Sequence, residues 1–217
     1  MGIPVLIMGE SGSGKSTSLR NFELGEIGIF NVASKPLPFR KNLNPANGIT
    51  YDAIFRALAR HNLLSYAIDD AQFLMSDQYF DNINTNDNFG LFKSIGCNFR
   101  NLIKFVSEQT PPDVIVYFLQ HVELSQTGII KAKTMGKLLD EKDTIEGRCA
   151  IVLLCRAEKD RHYFQTQSNG ISTAKSPLGM FPPEIDNDLK LVDKTIREYW
   201  RLDAQLENRE DRNNAAH

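Results

Sequence analysis

A short apolar run, Pro4-Val5-Leu6-Ile7-Met8, leads straight into Gly9-Glu10-Ser11-Gly12-Ser13-Gly14-Lys15-Ser16-Thr17. No other stretch limits the possible folds of this chain so strongly. The pattern is G-x-x-x-x-G-K-[ST], the phosphate-binding P-loop, and it sits where a strand would end and a helix begin. Glycines let the backbone curl so that successive N–H groups converge on phosphate oxygens. Lys15 is a mobile cation able to reach the outer phosphates, and the Ser16 hydroxyl is suited to Mg²⁺. Ser18-Leu19-Arg20-Asn21-Phe22 continues as a helix, whose amino end favours an anion. Residues Gly9 to Thr17 are therefore the predicted nucleotide cradle.

Composition narrows the class further. At 217 residues the chain is long enough for a substantial core and predicts one domain over residues 1–204, followed by a polar tail over 205–217. Its 25 basic and 27 acidic residues leave a net charge of -2, so the whole molecule does not advertise a polyanion partner. Cys97, Cys149 and Cys155 show no metal spacing and read as thiols of a reducing cytoplasm. The opening apolar run is too short for a secretory signal, and no stretch is long and apolar enough for a membrane span. The expected location is the cytoplasm.

Further along, Gly25–Val32 reads as a second strand, and Ala33–Arg40 as an exposed loop. Lys35, Arg40 and Lys41 in or beside that loop are either nucleic-acid or nucleotide contacts or solvated charges. Tyr51–Arg60 has apolar residues at helical spacing. Leu63-Leu64-Ser65-Tyr66-Ala67-Ile68 is a mostly apolar strand that ends in Asp69-Asp70. Paired acids at a strand end downstream of a P-loop are what Mg²⁺ binding requires: Asp69 holds the metal with Ser16, and Asp70 is placed to act as the base toward water. Helical periodicity resumes at Ala71–Met75 and, after a polar loop over Asp81–Asn88, in the stripe Phe89, Phe92, Ile95, Phe99, Leu102, Ile103 and Val106. Asp87 or Asn88 would cap that helix.

The β-branched run Asp113–Leu119 predicts a buried strand. Gln120 at its tip is the candidate γ-phosphate sensor, with His121 and Glu123 as weaker ones. The next segment, Leu124–Lys137, carries Lys131, Lys133 and Lys137 with few acids, which suits either a nucleic-acid backbone, a solvated hairpin or a contact with a second subunit. Leu138–Gly147 reads as a charged helix and Cys149–Cys155 as another core strand. The following segment reads as a hairpin turning at a charged cluster. Lys159, Arg161 and Lys175 are candidate charge stabilisers for a nucleotide held by a neighbouring subunit, or plain surface charges. Leu189, Val192, Ile196, Tyr199 and Trp200 mark a last helix. The alternation predicts an α/β P-loop fold, a mostly parallel sheet flanked by helices, with a C-terminal hairpin and helix.

Taken together, Gly9–Thr17, Tyr66–Asp70, Val114–Glu123 and Lys131–Glu141 resemble compact phage-encoded ATP-binding proteins with a RecA-like core, some of whose relatives are single-strand annealing recombinases. The likeness runs over about residues 3 to 200. It implies a RecA-like sheet and a Mg²⁺-dependent ATPase stimulated by DNA. It also implies assembly into rings or filaments, single-stranded DNA as ligand, and a phage single-strand binding protein as a further partner in the host cytoplasm. On this resemblance Lys15 and Ser16 are the Walker A pair, Asp69 the Walker B acid and Gln120 the strand-end sensor. The Lys131–Lys137 segment is in the position of the mobile DNA-binding loop. One feature departs from the pattern: where RecA-like ATPases usually carry a catalytic glutamate after the second strand, this chain reads Val32-Ala33-Ser34-Lys35. Either Asp70 takes over that role or hydrolysis is slow.

Other chemistries use the same scaffold. A small-molecule or nucleotide kinase fits the tighter G-x-x-G-x-G-K-S form of the loop, although no arginine-rich lid follows. An ATP-gated switch with little hydrolysis fits the missing glutamate. An AAA+ ring ATPase would need a C-terminal helical lid for which the chain has no room.

Overall fold

The computed structural model describes residues 1–84, 88–136 and 138–202. The apolar run before the P-loop is strand β1 (Ile3–Gly9), and its neighbours explain why the run is continuous. β1 lies between β5 (Ile115–Gln120) and β8 (Ile151–Glu158), parallel to both, with helices over both faces. A strand covered on both faces has no solvent side and needs no polar alternation. Its period of two persists in another form. Leu6 and Met8 enter one core and Val5 and Ile7 the other. β5 divides likewise, Val116 and Phe118 against Ile115, Tyr117 and Leu119, and so does β8, Val152 and Leu154 against Ile151 and Leu153.

Among the described residues, the sheet runs β10-β9-β8-β1-β5-β4-β2-β3. Beyond β5 come β4 (Ser65–Asp69), β2 (Gly28–Asn31) and the two-residue β3 (Ala46–Asn47), all parallel. On the other side β9 (Arg161–Gln165) folds back antiparallel on β8, and β10 (Glu184–Asp186) pairs antiparallel with β9. The charged hairpin turn expected between β8 and β9 is there, with Lys159 at φ +54. This is the mostly parallel, helix-flanked architecture that a RecA-like P-loop core implies.

One face is covered by α1 (Tyr51–Arg60), α2 (Phe73–Asn82) and α3 (Asn88–Gln109). The apolar stripe of α3 places Ile95, Phe99, Leu102, Ile103 and Val106 in that core, fully buried. The other face carries Leu19 and helix α5 (Leu189–Trp200), whose Leu189, Val192 and Ile196 are buried. Asp188 caps α5, its side chain accepting from the N–H groups of Lys190 and Leu191 at 2.9 and 3.3 Å.

Several expectations need correction. The helix expected over Ser18–Phe22 is a six-residue 3-10 turn, Ser16–Asn21. Leu138–Gly147 is not one charged helix but a wide π turn, Leu138–Lys142, followed by the short α4 (Ile145–Arg148). Asp143 separates the two and pairs with both Arg100 and Arg148, which draws that segment onto α3 rather than letting it extend. The loop expected from Asp81 begins later, because α2 continues to Asn82. The capping position Asp87, residue Lys137 and the tail over 205–217 lie outside the described residues, as does the side chain of Asn88.

Candidate nucleotide-binding site

Parallel strands bring their carboxyl ends to one edge, and the register aligns them: Met8 faces Gln120 across β1 and β5, and Asn31 faces Asp69 across β2 and β4. At this edge β1 ends in the P-loop. Gly9 is required by space, since a Cβ there would stand 2.5 Å from Ser13 Oγ and 2.8 Å from the Cys155 carbonyl. Gly12 and Gly14 are required by conformation, with φ of +79 and +102. Lys15 is buried and folds back over its own loop, its Nζ donating to the carbonyls of Gly9 and Glu10, both at 2.9 Å. Burial lowers its pKa, an effect opposed by the nearby acidic groups. Ser13 Oγ is buried without a partner, and the Ser13 carbonyl is gripped from β8 and β9 by Cys155 Sγ at 3.1 Å and His162 Nδ1 at 2.8 Å.

The acids of β4 reach this loop although β5 intervenes between β4 and β1. Ser16 Oγ donates to Asp69 Oδ1 at 2.8 Å. Asp69 is 6 % exposed, and burial pushes its carboxyl up to about 6, the Ser16 hydrogen bond opposing the rise. A half-buried hydroxyl in contact with a buried carboxylate offers oxygen donors of the kind Mg²⁺ takes while it keeps waters and phosphate oxygens in its remaining positions. The pair fits the metal. Among the described residues no group of three or more His, Cys, Asp or Glu forms a separate metal cage.

Asp70 turns away from this pair. Its φ is +58, a left-handed conformation that few non-glycine residues adopt, and its carboxylate is claimed by Lys35 Nζ at 2.7 Å and His121 Nε2 at 3.3 Å. Burial alone would raise its pKa, but the Lys35 hydrogen bond and charge, with His121, hold it below the ordinary carboxylate range. Burial, and then the charge of Lys15, lower the pKa of His121, an effect that Asp70 opposes. An acid held ionised by two partners is a weak proton acceptor. Lys35, which the sequence left open between a nucleotide or nucleic-acid contact and a solvated charge, thus stands against Asp70.

Gln120 is fully buried, and its Nε2 donates to the Lys133 carbonyl at 2.6 Å while Oε1 has no partner among the described residues. Its amide therefore holds the hairpin β6 (Val122–Leu124) and β7 (Ile130–Ala132) to the sheet edge. His121, the next residue, is the one whose side chain meets Asp70. On the hairpin, Lys131 pairs with Glu123 at 3.4 Å, and Lys133 is exposed. A cleft of about 250 Å³ opens between the P-loop and this hairpin, lined by Glu10, Gly12, Val122, Ile130 and Arg156 among others. Arg156 gave no signal in the sequence, because a basic residue leaving a strand looks like any surface charge. Of the other basic candidates, Lys41 is tied to Glu23 at 2.8 Å and the Phe22 carbonyl, and Arg161 to Glu184 at 3.1 Å. Arg40 is exposed, Lys175 is half-buried beside β8, and Lys159 forms the hairpin turn.

No family model matches this chain, and no curated protein does. Among solved structures it is similar to a KaiC-like protein, PH0186, from the hyperthermophilic archaeon Pyrococcus horikoshii OT3, with a TM-score of 0.46 and 16% identity over 75% of this chain and 77% of that one.

Proposed function

We propose that this chain binds Mg²⁺·ATP in the loop Gly9–Thr17, hydrolyses it, and couples that cycle to single-stranded DNA. The observation that carries the nucleotide reading is the Ser16–Asp69 hydrogen bond at 2.8 Å beside a buried Lys15. A Gly/Ser turn matching the motif by chance has no reason to meet a buried acid from a strand two places away in the sheet.

The parts divide the work as follows. Loop N–H groups and Lys15 bind the phosphates, with Lys15 leaving its two carbonyls to do so. Ser16 and Asp69 hold Mg²⁺, which supplies charge neutralisation on the phosphate oxygens. Asp70 and His121 stand next to them and orient water. Gln120 passes any displacement at the strand tip to the hairpin through Lys133, and Lys131, Lys133 and Lys137 are the contacts offered to a DNA backbone. Assembly into a ring or filament, a role in phage recombination or replication, and a single-strand binding protein as partner follow from the family resemblance.

The pairing of Asp70 with Lys35 and His121 favours one second reading, a nucleotide switch with slow turnover, because the acid nearest the metal pair is a poor base as it stands. Steady-state ATP hydrolysis with and without single-stranded DNA separates the two. Stimulation of several-fold by DNA is expected for the coupled ATPase. Turnover that ignores DNA, with tight ATP binding retained, overturns the DNA assignment and leaves the switch.

A further inference from the structure

We propose that Lys35, paired with Asp70, is a second phosphate ligand that exchanges this carboxylate for the terminal phosphate of a nucleoside triphosphate, so that it sets the preference for triphosphate over diphosphate. This deepens the nucleotide reading above and rests on it.

Lys35 is mounted at its base and not at its head. Its backbone is fixed: Asn31, 2 % exposed at the end of β2, donates through Nδ2 to the Lys35 carbonyl at 2.7 Å. Asn31 is the register partner of Asp69, so the anchor stands beside the metal pair. The side chain is not fixed in the same way. It is 60% exposed, and the contacts of its head are Asp70 Oδ2 at 2.7 Å and the Phe73 ring, whose centroid lies 5.0 Å away. A flexible stem with a pinned base and an exposed head is the mounting a mobile point charge needs.

The direction of travel follows from charge. The register sets the Lys35 anchor beside Asp69, whose Oδ1 accepts from Ser16 of the loop at 2.8 Å. An ion pair with one partner this exposed holds weakly. A polyphosphate bound through Lys15 presents more negative charge than a single carboxylate, and only its terminal group distinguishes triphosphate from diphosphate. His121 remains on Asp70 when Lys35 leaves, so the acid does not lose both partners. The left-handed backbone at Asp70 aims its carboxylate at Lys35 instead of at Ser16, which separates the Lys35–Asp70 pair from the metal pair.

The test is calorimetric titration of the full chain with ATP and with ADP, each with Mg²⁺, for wild type, Lys35→Met, Lys35→Arg and Asp70→Asn. Wild type is expected to prefer ATP. Lys35→Met should weaken ATP binding about tenfold and ADP binding less than twofold, while Lys35→Arg keeps the preference. Asp70→Asn, which frees Lys35, should strengthen ATP relative to ADP, and adding Lys35→Met should cancel that gain. Equal loss for both nucleotides, or no loss, overturns the proposal. Should Lys35→Met fail to fold by circular dichroism, the Asp70→Asn arm decides, and an unchanged preference there counts against it. A wild-type protein that binds neither nucleotide overturns the nucleotide reading itself.

Discussion

Asp69 carries the sharpest conflict between stability and function in this molecule. Its carboxyl rises from 3.8 to about 6 because it is buried, and that gap is worth about 3 kcal/mol. The sign is that of a raised acid. The nucleotide-free fold is favoured by the protonated form, fully so below 3.8, and loses that contribution as pH rises through about 6. Asp69→Asn should therefore stabilise the empty protein at pH 8 by about 1–3 kcal/mol, measured by denaturant unfolding, while abolishing Mg²⁺-dependent nucleotide binding. In wild type that binding should fall as pH drops through about 6, when the carboxylate is lost; affinity flat from pH 5 to pH 8 would detach Asp69 from the metal. That Ser16 and Asp69 would meet was legible in the sequence, because a P-loop and an acid-tipped strand are local patterns. Lys35 and His121 were not legible as partners of Asp70. Their meeting depends on three strands ending level, which no local pattern encodes.

The hairpin β6–β7 is the element whose attachment the structure explains in most detail. Gln120 Nε2 donates to the Lys133 carbonyl, Lys133 N–H returns to the His121 carbonyl at 2.8 Å, and Ala132 N–H is held by Glu146 Oε1 at 2.7 Å. Gln120→Ala removes the first of these, at a cost of about 1–2 kcal/mol. Hydrogen exchange over Val122–Lys133 should quicken about tenfold while amides of β1 keep their protection. Uniform quickening would mean that Gln120 supports the whole sheet and not the hairpin. From sequence this segment read as a hairpin, a DNA loop or a subunit contact, and the hairpin geometry is now settled. The short edge strands β3 and β10 escaped the sequence because two or three residues carry no periodicity; they pair only because a sheet edge is already in place. The wide turn at Leu138–Lys142 escaped for a related reason, since charged residues with helical propensity do not disclose that Asp143 will be captured by two arginines.

Across the whole molecule the two ends of the sheet do different work. The carboxyl edge holds the site. At the amino edge, Asp193 of α5 accepts from Ser65 Oγ at 2.6 Å, Tyr117 OH at 2.9 Å and Arg197 Nε at 2.6 Å, and Arg197 goes on to the carbonyls of Leu64 and Asp113 at 3.0 Å. This buried network ties α5 to β4 and β5. Asp193→Ala leaves the Arg197 charge without its carboxylate and should cost about 3–5 kcal/mol in denaturant unfolding, with nucleotide affinity of the folded fraction unchanged. The overall alternation of strand and helix was readable because the apolar runs of β1, β5 and β8 are long and uninterrupted. The order of those strands, with β5 inserted between the P-loop strand and the acid strand, is a tertiary choice. The central claim is that the loop Gly9–Thr17 and Asp69 form one Mg²⁺·ATP site. Its most direct test is calorimetric titration of ATP with Mg²⁺ into wild type and Lys15→Ala, and again after the metal is chelated. Saturable binding to wild type that is lost with Lys15→Ala, and weakened at least tenfold without Mg²⁺, is the predicted result. Equal affinity of the two proteins for ATP would contradict the account.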